Sequence, residues 1–259
     1  MQTVLFHSTI FGPIHSRRLG SSLGINLLPD DGKICSFDCL YCEAGYNAQG
    51  TGSTGLPSRG QVAKDLEAKL AEMRSAGAPL DVITFSGNGE PTLHPDFDGV
   101  VDDTIALRDK YYPDVKISVL TNATRIGNPS VAAALRKIDN NIMKLDSAVA
   151  ATVNAIDRPN PGYDLDKTVE LLASFGRQGI IQTMMCRGEH EGGVIDNTSD
   201  VEIEALIEAY RRIAPREIML YTIDRPTPEV NLRRVSKEEL TAIAERITAA
   251  TGIFVQVSA

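Results

Sequence analysis

From residue 58 onward the chain alternates short apolar runs with amphipathic stretches, a rhythm that leaves few folds open. Val62, Leu66, Leu70 and Met73 recur at helical spacing, and Gly77 and Pro79 then stop the helix. An apolar run of strand length follows over 81–86. The same alternation predicts helices over 96–111, 128–137, 164–177 and 200–213, with strands over 115–121, 141–146, 180–187 and 217–222 between them. Asn128-Pro129 opens one of these helices. Ser236, with Glu239 three residues on, has the form of a capping box for a last helix to Ala250, and 253–257 closes as a strand. Ahead of this series a strand is expected over 23–28 and a short one over 3–6. Residues 12–20 carry too many turn formers for a regular element. The stretch 45–60, with five glycines, reads as a surface loop near whatever site the chain builds. Repeated βα units with short links imply a parallel sheet with helices outside, and ligands gather beyond the carboxyl ends of its strands.

A chain of 259 residues suits one large α/β domain spanning 1–259. Residues 1–34 form its N-terminal loop and first strand, and 236–259 its last helix and strand. The net charge of −8 opposes the basic footprint of a nucleic-acid binder. Arg17-Arg18, Arg211-Arg212 and Arg233-Arg234 are local exceptions, the last two read as solvated faces. Residues 1–10 show neither a basic start nor a long apolar run, so no signal peptide is expected. No stretch approaches the roughly 18 apolar residues of a membrane span. Four cysteines, three of them crowded together, do not make a secreted disulfide framework, and a reducing cytoplasm is the expected location.

Those three are Cys35, Cys39 and Cys42, in the run Cys35-Ser36-Phe37-Asp38-Cys39-Leu40-Tyr41-Cys42. Thiolates at this spacing converge from one short loop on a metal centre. A structural zinc site wants four protein ligands, yet the next cysteine is Cys186 and no histidine lies just downstream. Three ligands and an open position suit an iron–sulfur cluster that binds something else. Cys186 itself reads as a small buried apolar residue. His7, His15, His94 and His190 are scattered without metal-ligand spacing.

Cys-x3-Cys-x-aromatic-Cys, followed about 45 residues later by Gly87-Asn88-Gly89-Glu90-Pro91, resembles the radical S-adenosylmethionine (SAM) superfamily. The resemblance implies a partial (β/α)6 TIM-like barrel and a [4Fe–4S] cluster held by Cys35, Cys39 and Cys42. It also implies SAM on the open iron, reductive cleavage of SAM to a 5′-deoxyadenosyl radical, and a flavodoxin- or ferredoxin-type reductant. Tyr41 stands where the family carries an aromatic beside the adenine. Gly87, Asn88, Gly89 and Glu90 match the family's Gly-Gly-Glu-Pro turn, with Asn88 in place of one glycine, and are expected to receive the ammonium of SAM. Ser118 and Asn122 share a strand face with Leu120 and are expected near the ribose. Lys144 and Asp146 share the next strand's face and either pair or line the cavity.

The run from Gly12 to Ile25 and the segments Lys144-Leu145-Asp146, Arg158-Pro159 and 222–226 narrow the resemblance. They are similar to small iron–sulfur oxidoreductases related to tRNA wyosine-base synthases. This chain has no second cysteine set before Cys35 and no strongly basic composition, so tRNA is a disfavoured partner. A small anionic or nucleoside-like substrate is expected, a 7-deazapurine (queuosine-type) nucleotide among them. Activation of a glycyl-radical enzyme and wyosine-like tRNA modification are the alternatives. Arg17 and Arg18, placed by their glycine- and proline-framed segment near the cavity mouth, are the candidate anion ligands.

Overall fold

The computed structural model describes residues 4–16 and 18–259. The expectation for Arg17, and that part of the 3–6 strand falling on Thr3, lie outside them. The chain opens with a hairpin, β1 (Ile10–Ser16) against β2 (Gly20–Ile25). After the cysteine loop come α1 (Arg59–Ser75), β3 (Val82–Phe85), α2 (Phe97–Tyr111) and β4 (Lys116–Thr121). Next are α3 (Pro129–Leu135), β5 (Asn140–Lys144), α4 (Ala150–Ile156), α5 (Leu165–Ala173) and β6 (Gly179–His190). The series ends with β7 (Gly193–Asp196), α6 (Asp200–Ile213), β8 (Glu217–Thr222), β9 (Arg233–Arg234), α7 (Lys237–Thr251) and β10 (Val255–Ser258).

The sheet order among the described residues is β1-β2-β3-β4-β5-β6-β8-β10, parallel throughout except for β1. Six βα units and a terminal strand therefore curl into a partial barrel, as the rhythm of the sequence implies. One strand face meets the helices through Leu23, Ile25, Ile83, Phe85, Ile117 and Val119. Alternation turns their neighbours into the lumen. There Ser22 and Thr84 share a 2.8 Å hydrogen bond, and Asn140 donates to Ser118 at 3.0 Å. A thin apolar layer of Leu19, Leu120, Ile142, Ile180 and Met219 crosses the same lumen. A buried polar group is costly unless it is partnered, and Ser22 with Thr84, like Asn140 with Ser118, partner one another across neighbouring strands.

Local chemistry explains most helix starts. Ser58 accepts from the amide of Gln61 and Asn128 from that of Ser130, each satisfying one orphan donor. Ser236 likewise accepts from Glu239 N at 3.2 Å, but the Glu239 carboxylate turns to Arg187, so the capping box is only half formed. Residues 12–20 differ from expectation, because most of them lie in a hairpin. Its register shifts between Phe11 and Ile14, where Gly12 (φ +93°) and Pro13 occupy a bulge on an edge strand that tolerates them. Val4 to His7 forms no strand; Phe6 instead stacks on Phe11, the ring centroids 3.8 Å apart. α4 was not visible in the periodicity because only Val153 and Ile156 of its seven residues are buried. β6 runs beyond the barrel, and its extension pairs antiparallel with β7 and β9. No helix among the described residues is long and apolar enough to cross a membrane.

Candidate active site

The cysteine loop leaves the carboxyl end of β2, and its backbone is held from three sides. Asp38 N and Leu40 N donate to the carbonyls of Asp157 and Ile156, both at 2.9 Å, and Asn160 N donates to Ser36 O at 2.9 Å. Asn47 Nδ2 reaches the carbonyls of Cys35 and Phe37 at 3.3 and 3.1 Å. From below, Ile34 pairs with the turn after β3: Ile34 N donates to Asn88 O at 3.1 Å, and Glu90 N to Ile34 O at 3.0 Å. Cys39 is buried and Cys35 and Cys42 are half-buried; none is in a disulfide. Asn122 Nδ2 lies 3.6 Å from the Cys35 sulfur, and the Cys39 thiol donates to Asp157 at 3.3 Å. Burial, with Glu90 nearby, pushes the Cys35 thiol up to about 12. Burial and Asp157 likewise hold the Cys39 thiol well above its usual range. All three must lose protons to become ligands, so loading releases protons.

The turn after β3 is a glycine-dependent contact. Gly89 has φ +129°, and a Cβ there would lie 1.9 Å from Ile34 O; at Gly87, φ +137°, it would lie 2.4 Å from Asn26 Oδ1. Only glycine allows the turn to come this close. Two members depart from expectation. Glu90 is buried, with Oε1 accepting from Thr92 N, Thr92 Oγ1 and Thr121 Oγ1 and Oε2 from Asn122 N at 2.7 Å. Its carboxylate fixes β3 to β4 and is already saturated by protein donors. Burial still raises its pKa despite those bonds. The Asn88 side chain points away from the cysteines, bonding Phe6 N, Phe6 O and Pro29 O at 2.9, 3.0 and 2.8 Å. What the turn offers a ligand is backbone: among the described residues the Gly89 carbonyl accepts no hydrogen bond.

Beneath the cysteines lies a buried charged network. Lys144 and Asp146 pair at 3.0 Å, and both bond to the Tyr41 hydroxyl; Lys144 also lies 3.9 Å from Asp157. The expected alternatives for these residues thus coincide, a pair that lines the lumen. Burial opposes the Lys144 charge, yet Asp146, Tyr221, Cys39 and Asp157 hold its pKa well above the usual range. Burial and Asp146 keep Asp157 well above the carboxylate range. Burial and the same Asp146 raise the Tyr41 phenol. Asn122, at the end of β4, bonds Ser36 at 2.9 Å as well as Cys35. Ser118 departs from expectation, since it sits a turn of the pleat deeper, committed to Asn140.

Arg18 is also placed differently. β2 runs parallel to β3, so the hairpin tip lies at the amino end of the barrel, opposite the cysteines. From there Arg18 extends into the lumen, donates to Gln182 at 3.0 Å and lies over the Tyr221 ring, 4.6 Å from its centroid. It lines a depression at the amino end of the barrel together with Leu19, Asn140 and Met219. Cys186 is fully buried, its amide bonded to Asn197 and its thiol held up by burial, and it packs in the cluster that contains Cys39. Lys33, Asp157, Asn197, Gln182 and Tyr221 were not singled out in the sequence. Asp157 beside Arg158-Pro159, and Lys33 two residues before Cys35, carried the available signals.

A family model for the radical SAM superfamily matches residues 31–208, more than half of the chain, and the chain belongs to that family. A protein of Brachyspira hyodysenteriae named GTPase Obg is 30% identical over 235 residues, covering 89% of this chain and 32% of that one. A UPF0026 protein of Helicobacter pylori is 28% identical, with 89% of this chain and 71% of that one covered. One of Methanocaldococcus jannaschii is 29% identical, with 90% and 69% covered. A radical SAM methyltransferase from Sphaerobacter thermophilus superposes with TM-score 0.64 at 18% identity, over 92% of this chain and 65% of that one. Streptococcus suis SuiB bound to S-adenosylmethionine does so with TM-score 0.64 at 16% identity, over 91% and 50%. At these identities the structural likeness concerns the fold. This chain spans about a third of the Brachyspira protein and half to two thirds of these structures.

The family's cofactors are a [4Fe–4S] cluster and SAM, and the residues present fit them. Three free thiols leave one loop, with no fourth cysteine beside them except the buried Cys186. Among the described residues no three His, Cys, Asp or Glu side chains converge on a single-ion site. A four-iron cube asks instead for thiolates that each reach a separate iron, with one iron left to SAM. Cys35, Cys39 and Cys42 would hold the cluster, and the Gly89 carbonyl, which accepts no hydrogen bond among the described residues, would be free to accept from an ammonium.

Proposed function

We propose that this radical SAM enzyme acts on a small anionic or nucleoside-like substrate bound within the barrel, between the cysteine loop and Arg18. When bound, the cluster and SAM supply a 5′-deoxyadenosyl radical that abstracts a hydrogen atom. The observation that carries the reading is Arg18. Its guanidinium enters the lumen and, among the described residues, has no carboxylate within ion-pair distance. Other arginines do pair with carboxylates, as Arg59 does with Asp103 and Arg246 with Asp200 and Glu204. A planar fork with free donors suits a carboxylate or phosphate. Tyr221 and Gln182 orient that fork, while Tyr41, Lys144, Asp146 and Asn122 offer polar contacts at the opposite end. Modified purine nucleotides, 7-deazapurines included, combine such an anion with a flat polar ring.

An anaerobic screen tests this, with reduced, cluster-loaded protein, SAM, and panels of small carboxylates, nucleosides and nucleotides, following 5′-deoxyadenosine. At least one anionic member is expected to raise its yield above the uncoupled background. Arg18→Ala is expected to keep that background and to lose most of the stimulation. Equal stimulation in both proteins would refute the role of Arg18.

A further inference from the structure

Lys33 is a lysine that should not be cheap to bury. Its side chain is 2% exposed, and its ammonium donates to Gly45 O at 2.7 Å and lies 3.5 Å from Asp38 Oδ1. It stands two residues before Cys35 and meets the backbone three residues after Cys42, so it spans the two ends of the cysteine loop. A buried cation needs compensating negative charge. Asp38 is the one carboxylate within ion-pair distance of it among the described residues, and Asp38 is shared. Arg158 Nη2 lies 3.3 Å from Oδ2 of the same carboxylate, and Asn47 N donates to Oδ1 at 2.7 Å. Two cations thus face one anion, leaving a surplus positive charge behind the loop.

What compensates it lies on the loop itself. The loop whose ends Lys33 joins carries the three thiols of Cys35, Cys39 and Cys42. Cluster binding turns these three thiols into thiolates. Reduction then adds one more negative charge in the same place.

We propose that Lys33 is the electrostatic counter-ion of the cluster, a fixed positive charge behind the cysteine loop that favours the reduced state and so eases the electron transfer that starts catalysis. The step is a one-electron reduction of [4Fe–4S]2+ to [4Fe–4S]+ by a low-potential donor such as dithionite or titanium(III) citrate, with no bond or proton transferred. The proposal rests on the cluster assignment and on no particular substrate. Lys33 acts through charge, as a positioning and tuning residue. Asp38 opposes it with the opposite sign.

The test is a potentiometric titration followed by EPR on anaerobically reconstituted wild type, Lys33→Met and Asp38→Asn, with iron and sulfide counted in each. Wild-type loading and signal establish the cluster independently of the proposal. In Lys33→Met the ratio of reduced to oxidised cluster at the wild-type midpoint is expected to fall about tenfold, equivalent to about 59 mV for one electron. In Asp38→Asn, which keeps an acceptor for Asn47, the midpoint is expected to rise. A lysine that merely ties the loop ends together would change iron content and leave the midpoint of loaded protein unmoved, and that result overturns the proposal. If Lys33→Met fails to hold a cluster, Asp38→Asn decides. A midpoint that stays or falls, or a chain that cannot load, contradicts the account.

Discussion

Gly89→Ala is the substitution whose cost can be worked most directly from the structure. The new Cβ would lie 1.9 Å from Ile34 O, 2.6 Å from Ile34 C and 2.9 Å from Leu28 Cδ1. The first two are backbone atoms, so the neighbour cannot swing aside and the turn must move away from the cysteine loop. That separation breaks the bridge in which Ile34 N donates to Asn88 O and Glu90 N to Ile34 O. Two buried backbone bonds contribute about 1 kcal/mol each, and holding alanine at φ +129° adds about 1–3 kcal/mol of strain. The sum is about 3–5 kcal/mol, a large share of the roughly 5–15 kcal/mol that holds a typical domain together. Gly77→Ala separates strain from collision. Gly77 also has a positive φ, +63°, but its added Cβ would meet nothing within 4 Å, so about 1–2 kcal/mol is expected there. Urea unfolding of the cluster-free proteins, followed by circular dichroism, measures both. Iron content after reconstitution reports whether the cysteine loop has lost its support. A Gly89→Ala chain within about 1 kcal/mol of Gly77→Ala, and loading iron normally, would refute the claim that this contact supports the cluster loop.

Other expectations are simpler. Replacing Cys35, Cys39 or Cys42 by Ala is expected to abolish cluster loading, whereas Cys186→Ala keeps iron content near wild type and costs about 1–2 kcal/mol of stability as a small core cavity; iron analysis and urea titration check both. Asn88→Ala removes three hydrogen bonds to Phe6 and Pro29, a loss of about 3 kcal/mol at about 1 kcal/mol each, and hydrogen exchange at Phe6 should rise. Stability is expected to fall as pH rises from 10 towards 12. Burial, and for Tyr163 also Asp157, pushes the phenols of Tyr163 and Tyr221 up to about 12 from an unperturbed 10.0. A raised folded-state pKa gives stability that is complete below 10 and lost on the way to the folded value. Denaturant midpoints that stay flat over that interval would contradict this.

How much of this was legible beforehand depended on the range of the forces involved. The βα order followed from periodicity, because burial of one face writes a period into each element separately. α4 is too short to write one, and the β1 bulge hides its strand behind Gly12 and Pro13. The cysteine spacing and the glycine turn were readable as motifs. Which atoms of the turn remain free was not, because Glu90 is saturated by Thr121 and Asn122, partners more than thirty residues away. The position of Arg18 was in principle readable. A six-residue strand that delivers the cysteines at its carboxyl end begins about 20 Å from that end, so Arg18, two residues before its start, belongs to the floor of the barrel rather than the mouth. The direction of its side chain, upward to Gln182 and Tyr221, was set by packing alone.

The central claim is that three thiols on one braced loop hold a cluster with an iron open to SAM. Its most direct measurement is 5′-deoxyadenosine formed when anaerobically reconstituted, dithionite-reduced protein is incubated with SAM. The account expects 5′-deoxyadenosine and methionine in equal amounts from wild type, and neither from Cys39→Ala. A wild-type chain with a full complement of iron and sulfide, a reducible EPR signal and no cleavage of SAM would contradict it.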